Sequence, residues 1–227
     1  MTMSITHVVL KPRPRPIWRG ALFPKSMIFR TNPLPEMHHP FPPLGSRALS
    51  TLHAGGLVLL PTANLWRLVA HVHQPAAVDR LFSVCPPSLS NRPELIFADA
   101  DTLRKWCPKI PPRLDILLEF HKRPVTLLVP AGKNVPLRMV DQRGEVAVRL
   151  AHDSFCYRIC EDLEAPVVSC CAMGPGVKDL PVRFGKIRSD VLRASSYTVA
   201  RRQREDIGKQ LCVIARLNDA GEIEFPR

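Results

Sequence analysis

From residue 45 onward the chain is a series of short apolar runs cut by proline, glycine and acidic residues. Leu57-Val58-Leu59-Leu60, stopped by Pro61, has strand length and no alternation, the pattern of a strand buried on both faces. Glu94–Ala98, Val125–Val129 and Val146–Leu150 read as strands, and Pro166–Cys171 as a buried strand. Between these runs the apolar spacing changes to the helical period. Ser46–Ala54 is expected to be a helix with Ser46 as N-cap, Leu49 and Leu52 inward and Gly55-Gly56 as its stop. Pro75 suits a first helical position and opens Ala76–Val84, with Val78, Leu81 and Phe82 on one side. Asp99 or Asp101 caps a short helix reaching Trp106, and Pro111-Pro112 opens another reaching about Phe120. Asp153–Leu163 carries Phe155, Ile159 and Leu163 about one turn apart. Cys212–Leu217, the turn Asn218–Gly221 and Glu222–Phe225 form a hairpin. Strands and helices interleave, which predicts an α/β or α+β domain over 45–227 with a twisted mixed sheet flanked by helices.

Residues 1–44 break this texture. Residues 1–50 hold Lys11, Arg13, Arg15, Arg19, Lys25, Arg30 and Arg47 against a single acid, Glu36, which is half of the net charge of +12. The stretch also carries nine of the 24 prolines, including Lys11-Pro12-Arg13-Pro14-Arg15-Pro16. Proline fixes φ, removes a donor and turns its predecessor away from helix, so 1–44 is expected to be a disordered basic arm. A solvated tail, a phosphate-attracting arm and an organelle-targeting segment are the three alternatives for it. At 45% hydrophobic residues the chain as a whole is too apolar for disorder. No apolar run approaches the roughly 18–20 residues of a membrane span, and Val8-Val9-Leu10 is too short for a secretory core. The charge points to a polyanionic partner, nucleic acid or nucleotide phosphate.

Seven cysteines (Cys85, Cys107, Cys156, Cys160, Cys170, Cys171, Cys212) without a secretory pattern imply reduced thiols and a cytoplasmic protein. There is no Cys-x-x-Cys, and His71-x-His73 is the other candidate ligand pair, so small buried hydrophobes are the expectation and a metal site is not.

The order of the pieces resembles the YrdC family. Gly55-Gly56-Leu57-Val58-Leu59-Leu60-Pro61-Thr62 is similar to that family's Gly-Gly, apolar strand and Pro-Thr-Asp-Thr-Val-Tyr-Gly-Leu. Pro75–Phe82 resembles its second helix, and Arg123-Pro124-Val125-Thr126-Leu127-Leu128-Val129-Pro130 its Gly-Pro-Leu-Thr-Leu-Val-Leu-Pro. Val146–Leu150 is similar to Val-Gly-Val-Arg-Val, Pro166–Ser169 opens Pro-Leu-Val-Ser-Thr-Ser-Ala-Asn, and Gly221–Phe225 resembles the last strand. The resemblance covers residues 47–227. It implies a YrdC-like fold with a positively charged concave cavity. It also implies synthesis of threonylcarbamoyl-adenylate from threonine, bicarbonate and ATP with Mg, for modification of adenosine in tRNA. ATP and Mg would be substrates, with no tightly bound cofactor.

The resemblance carries residue by residue to part of the site. Thr62 matches a threonine-contacting position, Thr126 an ATP-contacting one, Arg92 the later basic position before proline, and Ser169 and Arg149 lie in matching strands. Other positions depart from the pattern. The Lys-x-Arg pair after the second helix reads Cys85-Pro86-Pro87-Ser88, and the Ser-x-Asn pair reads Cys171-Ala172-Met173. The aspartate of the first motif is Ala63 and its glycine is Arg67. Loss of phosphate-directed cations costs ~2–4 kcal/mol each in transition-state stabilisation, so these changes count against synthesis. Arg67 is an added cation in the expected substrate-binding set of Thr62, Arg67, Arg92 and Arg149; Thr126 and Ser169 are the nucleotide-binding candidates. Plain strand threonines, and an ion pair of Arg149 with an acid such as Glu145, are the alternatives.

A basic segment, Arg183, Lys186, Arg188, Arg193, Arg201, Arg202 and Arg204, is the RNA-binding candidate, with a solvated charged loop as its alternative. Aromatic interleaving among these cations is thin, with Tyr197 as the stacking candidate, which favours the phosphate backbone of tRNA or double-stranded RNA over base stacking. Three functions follow: a divergent YrdC-like protein in tRNA threonylcarbamoyladenosine modification, a non-catalytic RNA-binding YrdC-fold module, and a Cys-dependent enzyme in the same cavity.

Overall fold

Glu94, an acid at the head of an apolar run, lies at the centre of the folded domain. The computed structural model of the chain describes residues 45–88, 91–120, 123–173, 179–208 and 212–226. The basic arm 1–44 lies outside the described residues.

In chain order the elements are α1 (Ser46–His53), β1 (Val58–Pro61), β2 (Trp66–His71), α2 (Pro75–Val84), β3 (Glu94–Phe97), α3 (Ala100–Trp106), α4 (Pro112–Phe120), β4 (Val125–Pro130), β5 (Glu145–Leu150), α5 (Ser154–Asp162), β6 (Val167–Cys171), α6 (Ser189–Ala194), β7 (Tyr197–Thr198), β8 (Val213–Leu217) and β9 (Ile223–Glu224). The described strands form one mixed sheet in the order β7-β1-β2-β6-β3-β5-β4-β8-β9. Its centre alternates pairing sense: β2–β6 and β6–β3 are antiparallel, β3–β5 parallel and β5–β4 antiparallel. The mixed α/β architecture expected from the interleaved pattern is therefore observed. Among the described residues, no helix is long and apolar enough to cross a membrane.

The sequence signals act locally as expected at most boundaries. Pro75 occupies the start of α2, where its missing N–H is not needed. Asp99 caps α3 by accepting from Thr102 N, and Asp153 caps α5 by accepting from Cys156 N. The Asn218–Gly221 turn closes the β8–β9 hairpin, with Asn218 Oδ1 accepting from Ala220 N and Glu222 N. Ser46 does not cap α1: Gly45 precedes it at φ 105°, and no side chain caps the helix. A left-handed backbone there suits glycine, so the chain enters α1 through a turn that Ser46 cannot make.

Three elements lack the pattern that would announce them. β2 is interrupted by Arg67 and closes on His71, yet all six of its residues are buried. α6 and β7 lie in the arginine-rich segment, the RNA-binding candidate for which a solvated charged loop is the alternative. There Val191 and Val199 are buried and anchor the segment, Val199 N donating to Leu59 O. The apolar core lies on both faces of the sheet's central strands, where Leu59, Leu68, Phe97, Leu127 and Val148 are all inaccessible. Burial of that many side chains at about 25 cal/mol per Å² of apolar area is the main stabilisation of the fold.

Candidate functional site

Five adjacent central strands each contribute one polar residue to a single row across the sheet. Across β2-β6-β3-β5-β4 the register sets Ser169 opposite Glu94 and Thr126 opposite Arg149, while Arg67 lies opposite Cys171 and Arg149 opposite Ile96. The five side chains therefore form a slanted row whose long arginines reach back to Glu94. Arg67 and Arg149 are each 1% exposed, Thr126 and Ser169 0% and Glu94 6%, so the row is closed off from water. Two guanidinium groups with one carboxylate in such a place demand close pairing, since each buried ion loses several kcal/mol of hydration.

Glu94 provides that pairing. Its Oε2 lies 2.8 Å from Arg67 Nη1 and 3.5 Å from Arg149 Nη1. Its Oε1 accepts from Thr126 Oγ1 at 3.0 Å, and the same hydroxyl lies 3.1 Å from Cys212 Sγ. Arg67 Nη1 also donates to Ser169 Oγ at 3.2 Å. Burial pushes the Glu94 carboxyl up, but Arg67, then Arg149 and the Thr126 hydroxyl, outweigh it and hold it below the usual carboxylate range. Burial likewise opposes the charge on Arg67, and the Glu94 carboxylate outweighs it and holds the guanidinium protonated.

Four of the expected substrate and nucleotide residues, Arg67, Arg149, Thr126 and Ser169, are thus brought together. They meet one another and Glu94, with almost no exposed surface of their own. Glu94 is the residue the sequence reading missed; its only signal was an acid heading an apolar run, where burial requires a partner. Arg149 pairs with Glu94, not with Glu145, whose carboxylate lies 3.9 Å from Arg216.

The other two candidates sit elsewhere. Thr62 is buried in the turn joining β1 to β2, its hydroxyl donating to Leu65 O at 2.8 Å, and its carbonyl accepts from Arg202 Nη1 at 3.1 Å. Arg92 pairs with Asp141 at 3.2 Å on the wall of an open pocket of about 270 Å³, shared with Ser88, Arg138 and Glu145. Arg92 therefore does not join the buried row.

The cysteines are all free; six are buried and Cys212 is half-buried. Burial pushes Cys85 up to about 12 and Cys107 up to about 11, and it raises Cys171 and Cys212 as well. These groups are thiols rather than nucleophilic thiolates at neutral pH. Among the described residues, no group of three His, Cys, Asp or Glu is placed to hold a metal ion. His71 packs instead between His53 and His73, each ring centroid 5.5 Å away.

The basic segment is partly neutralised. Arg183 pairs with Asp206, Arg188 with Asp190 and Arg202 with Glu205, each at 2.8 Å. Lys186 and Arg204 are exposed at the surface. Arg201 lies over the Phe155 ring, 5.8 Å from its centroid, and lines a cavity of about 340 Å³ with Ser46, Ser154 and Arg158.

The comparisons with known proteins agree with this architecture. The Sua5/YciO/YrdC family model, described as "Telomere recombination", matches residues 50–221. A threonylcarbamoyl-AMP synthase of Xanthomonas euvesicatoria is 28% identical over 129 residues, covering 56% of this chain and 69% of the relative. E. coli YciO superposes with a TM-score of 0.67 at 17% identity, covering 80% of this chain and 86% of its own. P. abyssi Sua5 superposes with a TM-score of 0.69 at 22% identity over 80% of this chain, which spans about half (52%) of the Sua5 chain. With the matched region spanning the row of polar residues and every strand that carries it, the chain belongs to the Sua5/YciO/YrdC family.

Proposed function

We propose that this protein is a divergent, cytoplasmic YrdC-fold protein acting in the context of tRNA threonylcarbamoyladenosine modification. It binds RNA, as tRNA or as duplex, and nucleotide phosphate through its basic surface, without the synthase turnover of its relatives. The observation that carries this reading is the commitment of Arg67 and Arg149 to Glu94 in a closed row. Cations that hold a triphosphate must present N–H groups to it, and a guanidinium neutralised inside the sheet contributes little to a ligand outside. The Lys-x-Arg and Ser-x-Asn positions, occupied by Cys85, Pro87, Cys171 and Met173, offer no replacement. Cysteine chemistry is disfavoured by the raised thiols.

The test supplies the full chain with ATP, Mg, threonine and bicarbonate and follows pyrophosphate release. No turnover above background is expected, alongside measurable, salt-sensitive binding of duplex RNA or tRNA. Pyrophosphate release at the rate of an active threonylcarbamoyl-AMP synthase would overturn the non-catalytic reading. RNA affinity independent of salt would overturn the phosphate-binding one.

A further inference from the structure

The carboxylate of Glu94 sits as a ligand would. One oxygen takes the Thr126 hydroxyl and the other lies between two guanidinium groups, all on strands of the same sheet. The fit is incomplete. Among the described residues Glu94 Oε2, Arg67 Nε, Arg149 Nε and Arg149 Nη1 have no aligned hydrogen-bond partner, although all four atoms are buried. Two cations lie within ion-pair distance of this one carboxylate, with Asp153 a further acid acting on Arg149, so Glu94 alone does not cancel the charge of the row. In this arrangement Glu94 Oε2, tethered to β3, does not align with N–H groups from both β2 and β5 at once. A free carboxylate could, because Arg–carboxylate pairing is planar and two-pronged.

We infer that Arg67, Arg149 and Thr126 form an anion seat for a small carboxylate, and that Glu94 is its built-in occupant. Glu94 thereby sets specificity: with its side chain in place the seat rejects anions from solution, and without it the seat accepts one. The inference deepens the reading that Arg67 and Arg149 are committed to Glu94 and rests on it.

The experiment compares the full-length wild type with Glu94→Ala by thermal unfolding, in sodium formate and in sodium chloride at matched ionic strength. Glu94→Ala should melt several degrees below wild type in chloride and regain much of that loss in formate, with saturation, as a ligand bound only by the folded state requires. The wild type should respond alike to both salts. Adding Arg149→Met to Glu94→Ala should abolish the formate-specific rise. Should Glu94→Ala be unfolded in chloride, formate should restore its folded far-ultraviolet circular dichroism. Equal responses to formate and chloride, a formate response of equal size in the wild type, or one that survives Arg149→Met would overturn the assignment. Pyrophosphate release by the wild type bears on the proposed function alone and leaves this outcome separately readable.

Discussion

Arg67 and Glu94 pair at 2.8 Å across an intervening strand: β6 lies between β2 and β3, and its Ser169 accepts from the same Nη1. The pair therefore ties three strands together through side chains, on top of the backbone ladder. A buried pair contributes little net stability against an apolar substitute, yet removing one partner leaves an uncompensated charge.

The asymmetry of the row makes the two partners unequal. Arg67→Met leaves Glu94 matched one-to-one with Arg149, whereas Glu94→Met leaves two buried cations without the one carboxylate the structure shows within ion-pair distance of both. Glu94→Met should cost about 3–5 kcal/mol in denaturant unfolding, and Arg67→Met distinctly less. Equal losses, or a larger one for Arg67→Met, would contradict the pairing described.

The row also marks the limit of what the pattern reveals. Strands such as Val58–Pro61 and Val125–Pro130 are apolar at nearly every position, so burial on both faces is legible directly. Trp66–His71 is buried as fully, but Arg67 interrupts its run, and hydropathy reads a paired buried cation as a surface one. The partner that makes Arg67 tolerable is 27 positions away in sequence, Glu94, and comes close only through the crossover topology. The motif comparison located Arg67, Arg149, Thr126 and Ser169 as site candidates because it aligns strands. It could not show that these residues point at an acid of their own chain. α6 and β7 were hidden for the converse reason: a few buried aliphatic residues, Val191 and Val199, anchor a segment otherwise made of charge.

His71 gives the fold a dependence on mild acid. Burial, then the neighbouring His73 and His53, lower its pKa below the ordinary 6.5. His73 N donates to His71 Nδ1 at 3.2 Å, a bond that requires Nδ1 to be unprotonated. The unfolded chain therefore binds a proton that the folded chain refuses. Stability is unaffected above the unfolded value and falls as pH drops below it toward the folded value. Unfolding midpoints should decline from pH 7 to pH 5, and His71→Gln should flatten that decline. An unchanged slope in the variant would assign the acid sensitivity elsewhere. Glu94 contributes in the same direction at lower pH, since its lowered pKa is lost as a stabilising factor only below the ordinary 4.5.

Gly132 tests the packing of α3 against the segment after β4. A Cβ placed there would lie 1.8 Å from Trp106 O, a backbone atom that ends the helix and cannot swing away. Gly132→Ala should destabilise by about 1–3 kcal/mol or more through forced backbone displacement. A neutral result would show that this contact is loose in solution.

The basic segment separates into cations with carboxylate partners and cations presented to solvent, and RNA binding should follow that division. A guanidinium already holding an aspartate must exchange it for a phosphate, whereas an unencumbered one gains the contact outright. Arg188, Lys186 and Arg204 are all exposed, but Arg188 holds Asp190 at 2.8 Å, whereas Lys186 only lies near the Asp206 already paired with Arg183, and Arg204 is presented to solvent. Lys186→Met and Arg204→Met should each weaken duplex RNA binding and reduce the slope of log affinity against log salt by about 1. Arg188→Met should reduce it by less, because release of Asp190 accompanies any phosphate contact at that position. The measurement is a titration of full-length variants with duplex RNA at several salt concentrations. Slopes indifferent to all three substitutions would move the RNA-binding surface away from residues 183–204 and toward the other cations of the domain.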